Sequence, residues 1–216
     1  MGFLLTLVVF LFFFPIVGER SPHIRTHCLN NLKNLTIVLM NYEAAKDRLP
    51  VSCTTNENGQ PLHSWRTYAL PYMEGERLFE SIDLEKPWND PANAKAAETR
   101  ISLSMPSESQ HGKRDKLPCV VTPNSLLRPA EKRKFSDCTD GTSNTIILVE
   151  VPVSHSVPWM QPVDADEELI QQLAAGKLGA NHDRGFLVAF ADGSTEFIPF
   201  EDSPRMRGSN FSDDFC

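Results

Sequence analysis

The segment FLVAFADGSTEFIPF, residues 186–200, carries two strand signatures around a turn. Phe186–Ala191 is apolar, β-branched and aromatic, the composition of a buried strand. Asp192-Gly193 supplies the positive φ that a tight hairpin requires, and Thr195–Phe200 returns antiparallel. Pro199 has no N–H for a central ladder, so the return strand lies at an edge or ends there. Upstream, Thr145–Val151 (TIILVEV) is another strand, entered from the turn Asp140-Gly141. Earlier still the period changes. From Thr26 to Lys46, Leu32, Leu35, Leu39 and Tyr42 recur at three- and four-residue steps, with Cys28 and Leu29 leading in. Asn30, Asn31, Asn34 and Asn41 fall on other faces. This helix ends before Pro50, because a residue preceding proline avoids the α region. Helix first and sheet later predicts an α+β fold, with an amphipathic helix packed on an antiparallel sheet. There is no βαβ alternation, GxGxxG or Walker loop, which disfavours a nucleotide-binding α/β domain.

The segments between are read as follows. Val51–Pro61 is a loop with Asn56, Asn58 and Gly59 as turn formers. Ser64 caps a short helix with Trp65, Tyr68, Ala69 and Tyr72 on one side, and Pro71 kinks or stops it. Asp90-Pro91 opens an Ala-rich helix to about Arg100. Residues 113–134 are weakly structured and rich in Lys and Arg; a solvated loop is preferred, a polyanion-binding module is the lesser alternative, and base stacking has little support because no aromatic side chain is interleaved until Phe135.

At the N-terminus, Phe3–Val17 (FLLTLVVFLFFFPIV) is uncharged and almost wholly apolar. As a helix it spans roughly 22 Å, against roughly 30 Å of bilayer hydrocarbon. It reads as a secretory leader cleaved after a small residue such as Gly18 or as a retained short anchor, with a buried core helix or strand the less favoured alternative, and no basic residues precede it. The 216 residues, 41% hydrophobic and 23% charged, exclude collagen-like, coiled-coil and wholly disordered chains. A net charge of −7 argues against a global nucleic-acid binder. The five cysteines, Cys28, Cys53, Cys119, Cys138 and Cys216, contain no CxxC pair, which disfavours a zinc ribbon or a thioredoxin-type site. One bridge, for instance Cys119 to Cys138, is compatible with an oxidising compartment.

Residues with reactive side chains do not form a coherent active site. His182 and Asp192 invite a general-base or metal reading. Extended chain separates them by roughly 33 Å, however, unless Gly185 folds it back. A strand-entrance hydrogen bond for His182 and a turn for Asp192 are the preferred roles. Ser143 lacks the Gly-x-Ser-x-Gly elbow, and Thr142, Ser143 and Asn144 are expected to bond local backbone. His23, His27, His63, His111 and His155 are scattered without metal-ligand spacing. Asp164, Asp166, Glu167 and Glu168 read as a solvated helix start rather than a calcium loop. Trp65, Trp88 and Trp159 read as packing residues. No catalytic, cofactor-binding or metal-ligating residue is predicted.

A set of short motifs in fixed order carries a resemblance. Cys28-Leu-Asn-Asn-Leu-Lys33, Asn41-Tyr42 and Leu49-Pro50 are followed by Ser64-Trp65-Arg66 and Leu70-Pro71-Tyr72-Met73-Glu74. Then come Pro87-Trp88-Asn89-Asp90-Pro91-Ala92-Asn93, Pro106-Ser107 and Asp140-Gly-Thr-Ser-Asn-Thr-Ile146. Pro158-Trp159 with Pro162 and Asp164, and His182 with Asp192-Gly193, complete the series. Over most of residues 27–200 this pattern resembles the DUF1559 family of planctomycete-type bacteria, whose C-terminal signature is His-x9-Asp-Gly. The resemblance implies a prepilin-type N-terminal segment and a pilin- or pseudopilin-like α+β head. This chain departs from the family pattern in several ways, among them the absence of basic residues before Gly2 and a head shorter than usual. The Glu that follows the family's cleavage site is missing after Gly2-Phe3, and the family's Cys-Pro-Ser is Met105-Pro106-Ser107.

The expected organisation is a hydrophobic leader or anchor over 1–18, a linker over 19–27, a globular domain over 28–200 and a polar tail over 201–216. The expected role is a non-catalytic, envelope-anchored or exported structural or interaction protein with its head outside the cytoplasm. It would engage the membrane through its N-terminus, with protein partners or self-assembly and no nucleic acid. The alternative is an envelope hydrolase or ligand-binding protein using the loops around Asp140, Trp159 and His182.

Overall fold

A computed structural model describes residues 21–99, 101, 114–115, 125–129, 131–179, 181–182 and 184–203. The chain is α+β. Helix α1, Ser21–Lys46, lies against a three-stranded antiparallel sheet of β4 (Ile146–Val149), β6 (Gly185–Phe190) and β7 (Thr195–Pro199), in the order β4-β6-β7. Helix α5, Glu167–Ala174, belongs to the apolar cluster on the other face.

Helix α1 begins at Ser21 rather than Thr26, so the segment expected as a linker is helical over its larger part. Pro22 does not prevent this, because the first turn of a helix has N–H groups without intrahelical partners anyway. The Cys28, Leu32, Leu35 and Leu39 ridge is buried on the sheet as expected. Asn30, Asn34 and Asn41 are exposed. Asn31 and Thr36 are buried, and Thr36 hides its hydroxyl by donating to the Leu32 carbonyl at 3.1 Å. A left-handed Asp47 (φ 55°) ends the helix before Pro50.

Both faces of the central sheet are covered, which explains why β4 is an unbroken apolar run. A bulge between Ile146 and Leu148 puts Ile147 and Leu148 together on the α1 side. Ile146 and Val149 then join Phe186, Val188, Ile170 and Leu173 on the α5 side. The β6–β7 hairpin turns at Asp192-Gly193 as predicted: Gly193 has φ 86°, and the Phe190 N–H donates to the Ser194 carbonyl at 2.9 Å. Strand β7 is an edge, and Pro199 is its last residue. Gly185 is required by close approach, since a Cβ there would overlap the Ile198 carbonyl oxygen and the Phe197 ring.

Two smaller sheets were not expected. Strands β1 (Cys53–Thr55) and β2 (Pro61–Ser64) make a hairpin of the predicted loop, with the Asn56 side chain accepting from the N–H groups of Asn58 and Gln60. Strand β3 (Arg114–Asp115) pairs with β5 (Val157–Pro158). Helix α2, Trp65–Ala69, gives way to a 3-10 turn at Leu70–Met73, as Pro71 demands. Helix α3, Glu76–Glu80, follows. The expected Ala-rich helix is shorter than predicted: Asp90 caps a 3-10 turn, Pro91–Asn93, that runs into α4, Ala94–Ala97. A third apolar cluster, with Leu70, Ile82, Ala96, Trp159 and Met160, sits beneath this region. Among the described residues no helix is long and apolar enough to cross a membrane, and Phe3–Val17 lies outside them.

Candidate functional site

The N-terminal half of α1 crosses the sheet where β4 ends and β6 begins. Strand alternation carries Glu150, the residue after β4, onto the α1 side, and its N–H continues the ladder by donating to the Leu187 carbonyl at 2.9 Å. The chain entering β6 reverses at Arg184 (φ 65°), so that His182 bridges back to Gly185. Cys28 faces them from α1. Cys28, Glu150 and His182 are only 2%, 2% and 5% exposed. His182 Nε2 lies 2.9 Å from Glu150 Oε2. The Asn181 amide donates to Glu150 Oε1 at 3.0 Å and to the Val151 carbonyl at 2.9 Å. Among the described residues, these three are the group whose donor atoms lie close enough together to share one metal ion. Thiol, imidazole and carboxylate are also the members of a nucleophile–base–orienter set. Here they are sealed between helix and sheet, so a substrate reaches the sulfur only if that interface opens.

A second polar constellation joins α2 to the segment after β5. Ser64 Oγ donates to the Trp159 carbonyl at 3.0 Å, so its side chain ties these segments together instead of capping α2. Arg66 Nη2 and Asp164 Oδ1 are 2.7 Å apart, with side chains 1% and 5% exposed. The Trp65 indole N–H donates to the same oxygen at 3.2 Å. The Trp159 indole donates to the Thr99 carbonyl at 3.0 Å. A third constellation is built on Asn93, fully buried, whose amide donates to the carbonyls of Asp83 and Pro87 and whose oxygen accepts from the Asp83 N–H. Beside it, His63 Nε2 lies 2.8 Å from the Lys86 carbonyl. A carbonyl only accepts, so Nε2 carries the proton, and burial holds the His63 pKa below its ordinary value.

Residues 25–123 match the family model described as Protein of unknown function (DUF1559). Over these residues the chain matches the DUF1559 family. No curated protein and no solved structure matches it. The matched residues include Ser64-Trp65-Arg66 and the Pro87–Asn93 motif; Asp140–Ile146 and His182 through Gly193 lie beyond them.

The sequence-predicted candidates do not share one cleft. Asp140-Gly141 forms a turn in which Asn144 donates to the Asp140 carbonyl and Thr145 to the Gly141 carbonyl. That turn docks on the hairpin turn, because the Asp192 N–H donates to the Thr142 carbonyl and the Ala191 N–H to the Thr145 carbonyl. Asp192 Oδ1 accepts from the Ser194 N–H and hydroxyl, the local turn role expected of it. His182 sits at the other end of β6, a strand of roughly 20 Å. Trp159 belongs to the third apolar cluster. Asp166 caps α5 by accepting from the Leu169 N–H at 2.9 Å, whereas Asp164 is drawn inside by Arg66. The basic segment is partly neutralised: Arg128 and Arg133 meet Glu131, and Lys134 meets Asp47. Cys119, Lys113, His111, His23 and the polar tail from residue 204 on lie outside the residues with described side chains.

Sequence reasoning missed Glu150 and Asn181, and met Asn93 only as the last residue of the Pro87–Asn93 motif. Glu150 had one visible signal, a lone carboxylate inside the apolar run TIILVEV, where an ionised side chain is costly unless it has a partner.

Proposed function

We propose that this protein is a non-catalytic structural or interaction protein of a bacterial cell envelope. Phe3–Val17 delivers it to the membrane, and the α+β head stands outside the cytoplasm in a pilin-like layout. The observation that carries this reading is the use of the signature side chains. Ser64, Trp65 and Arg66 bond the Trp159–Asp164 segment. Asn93 clamps residues 83–87. The Asp140 and Asp192 turns bond each other's backbone. These groups are engaged inside the fold and are not displayed around a cleft. A long helix at the front of the head, starting four residues after Val17, is the further support.

N-terminal sequencing and fractionation of the native protein test the proposal. An intact Met1 in the membrane fraction, with the head digested by protease added to spheroplasts, is the expected result. A mature N-terminus near Glu19 in a soluble exported fraction supports export without an anchor. Full-length protein free in the cytosol overturns the reading.

A further inference from the structure

Cys28 Sγ, a Glu150 carboxylate oxygen and a His182 ring nitrogen lie within 4.8 Å of one another. His182 Nε2, although 2.9 Å from Glu150 Oε2, lacks the alignment of a hydrogen bond and is buried with no other hydrogen-bond partner among the described residues. Buried imidazole nitrogens normally have one. Two groups held side by side rather than head-on converge on a third point, as ligands of one ion do. We propose that Cys28, Glu150 and His182 are the protein ligands of a divalent ion of the zinc class, pinning α1 to the ends of β4 and β6.

The donor set selects the ion. Thiolate and imidazole suit zinc and its borderline-soft neighbours, whereas magnesium and calcium take oxygen ligands. The charge closes as well. A thiolate and a carboxylate neutralise one divalent ion around a neutral imidazole, which removes the cost of the carboxylate buried beside His182. Zinc–ligand bonds of about 2.0–2.3 Å put donors about 3.6 Å apart in a tetrahedron, so donors that lie within 4.8 Å of one another need close by no more than about 1 Å on loading. Asn181 is placed as a supporting residue, because it holds Glu150 Oε1 and leaves Oε2 on the histidine side. Each ligand comes from a different element, so the ion ties together segments that are distant in sequence. The proposal is independent of the envelope reading and stands or falls separately from it.

The test uses the full chain, purified in detergent, freed of metal and titrated with Zn2+ or Co2+. One ion retained per chain after gel filtration is expected, with a thiolate-to-cobalt charge-transfer band in the near ultraviolet and a melting temperature that falls with chelator and recovers with zinc. Asn181→Ala should weaken zinc binding by about 10–100-fold. Cys28→Ser and His182→Gln should weaken it further and abolish or shift the cobalt band, and Cys53→Ser should leave both unchanged. The chelator comparison on the unaltered chain needs no variant to fold. The proposal is overturned if the unaltered chain retains no stoichiometric ion, shows no thiolate band and melts at one temperature with or without chelator, the behaviour of a plain histidine–glutamate ion pair. It is equally overturned if Cys28→Ser binds zinc unchanged.

Discussion

Replacing Asp164 by Ala leaves the Arg66 guanidinium inside the protein without its carboxylate. The two groups are 2.7 Å apart with side chains 1% and 5% exposed, so water screens little of their interaction. Breaking a buried pair by removing one partner costs about 3–5 kcal/mol, and losing the acceptor of the Trp65 indole adds about 1 kcal/mol. The sum of about 4–6 kcal/mol is a large share of the roughly 5–15 kcal/mol that holds a domain together. At about 2–4 °C per kcal/mol for a chain of this size, the melting temperature should fall by roughly 8–24 °C. Urea unfolding followed by tryptophan fluorescence reads the change directly, since Trp65 and Trp159 are both buried there. The double variant Arg66→Met/Asp164→Leu should recover most of the loss, because an apolar pair of similar volume replaces the ions without stranding a charge. A single-variant loss below about 1 kcal/mol, the size expected of an exposed pair, would refute the assignment of this pair as a buried clamp.

Gly185→Ala should destabilise by about 3 kcal/mol, because the Ile198 carbonyl that its Cβ would meet is backbone in the same sheet. Gly59→Ala, with open space around it and only a positive φ to strain it, should cost about 1 kcal/mol in the same urea titration. Asn93→Ala should cost about 2–4 kcal/mol by stranding the Asp83 and Pro87 carbonyls, and hydrogen exchange over residues 83–88 should accelerate. The buried, neutral His63 contributes a pH dependence. Its folded pKa is below the ordinary 6.5, so the unfolded chain binds the extra proton. Stability is therefore full above about pH 6.5 and declines as pH falls toward the folded pKa. His63→Gln should flatten that acid-side decline in urea midpoints measured across the interval.

The parts of the fold that were readable in the sequence are those in which one short segment states its own environment. Strand β4 and the β6–β7 hairpin announce themselves through apolar runs and the Asp192-Gly193 turn, and α1 through the Leu32, Leu35, Leu39 ridge. The site was not readable, because its members acquire meaning only from one another. Glu150 is an ordinary strand-end residue until His182 folds back beside it, and that reversal depends on a positive φ at Arg184, a residue type that does not advertise one. Ser64 looked like a helix cap because serine before a helical run usually is one. Its true acceptor, the Trp159 carbonyl, is 95 residues away in sequence. The β1–β2 hairpin was hidden for a different reason. Cys53–Thr55 and Pro61–Ser64 are too short to show alternation, so only the turn between them left a trace.

Why the polar pairs are present is a separate question from why the fold is stable. A buried arginine–aspartate pair gains little over a well-packed apolar pair, and apolar area alone does not fix the register in which two segments dock. Directional contacts remove that freedom. The Trp65 and Arg66 bonds to Asp164 fix α2 against the segment after β5, and the Asp192 N–H bond to Thr142 fixes the entrance of β4 against the hairpin. Asn93 does the same for the loop at residues 83–87. Each clamp joins segments that no apolar pattern would register uniquely, which makes specificity of docking their proposed contribution. If so, substitutions at these positions that preserve volume but remove polarity on both partners should leave stability nearly intact while broadening the amide resonances of the docked segments. That separation of stability from uniqueness would not arise if the polar groups served only as sources of binding energy.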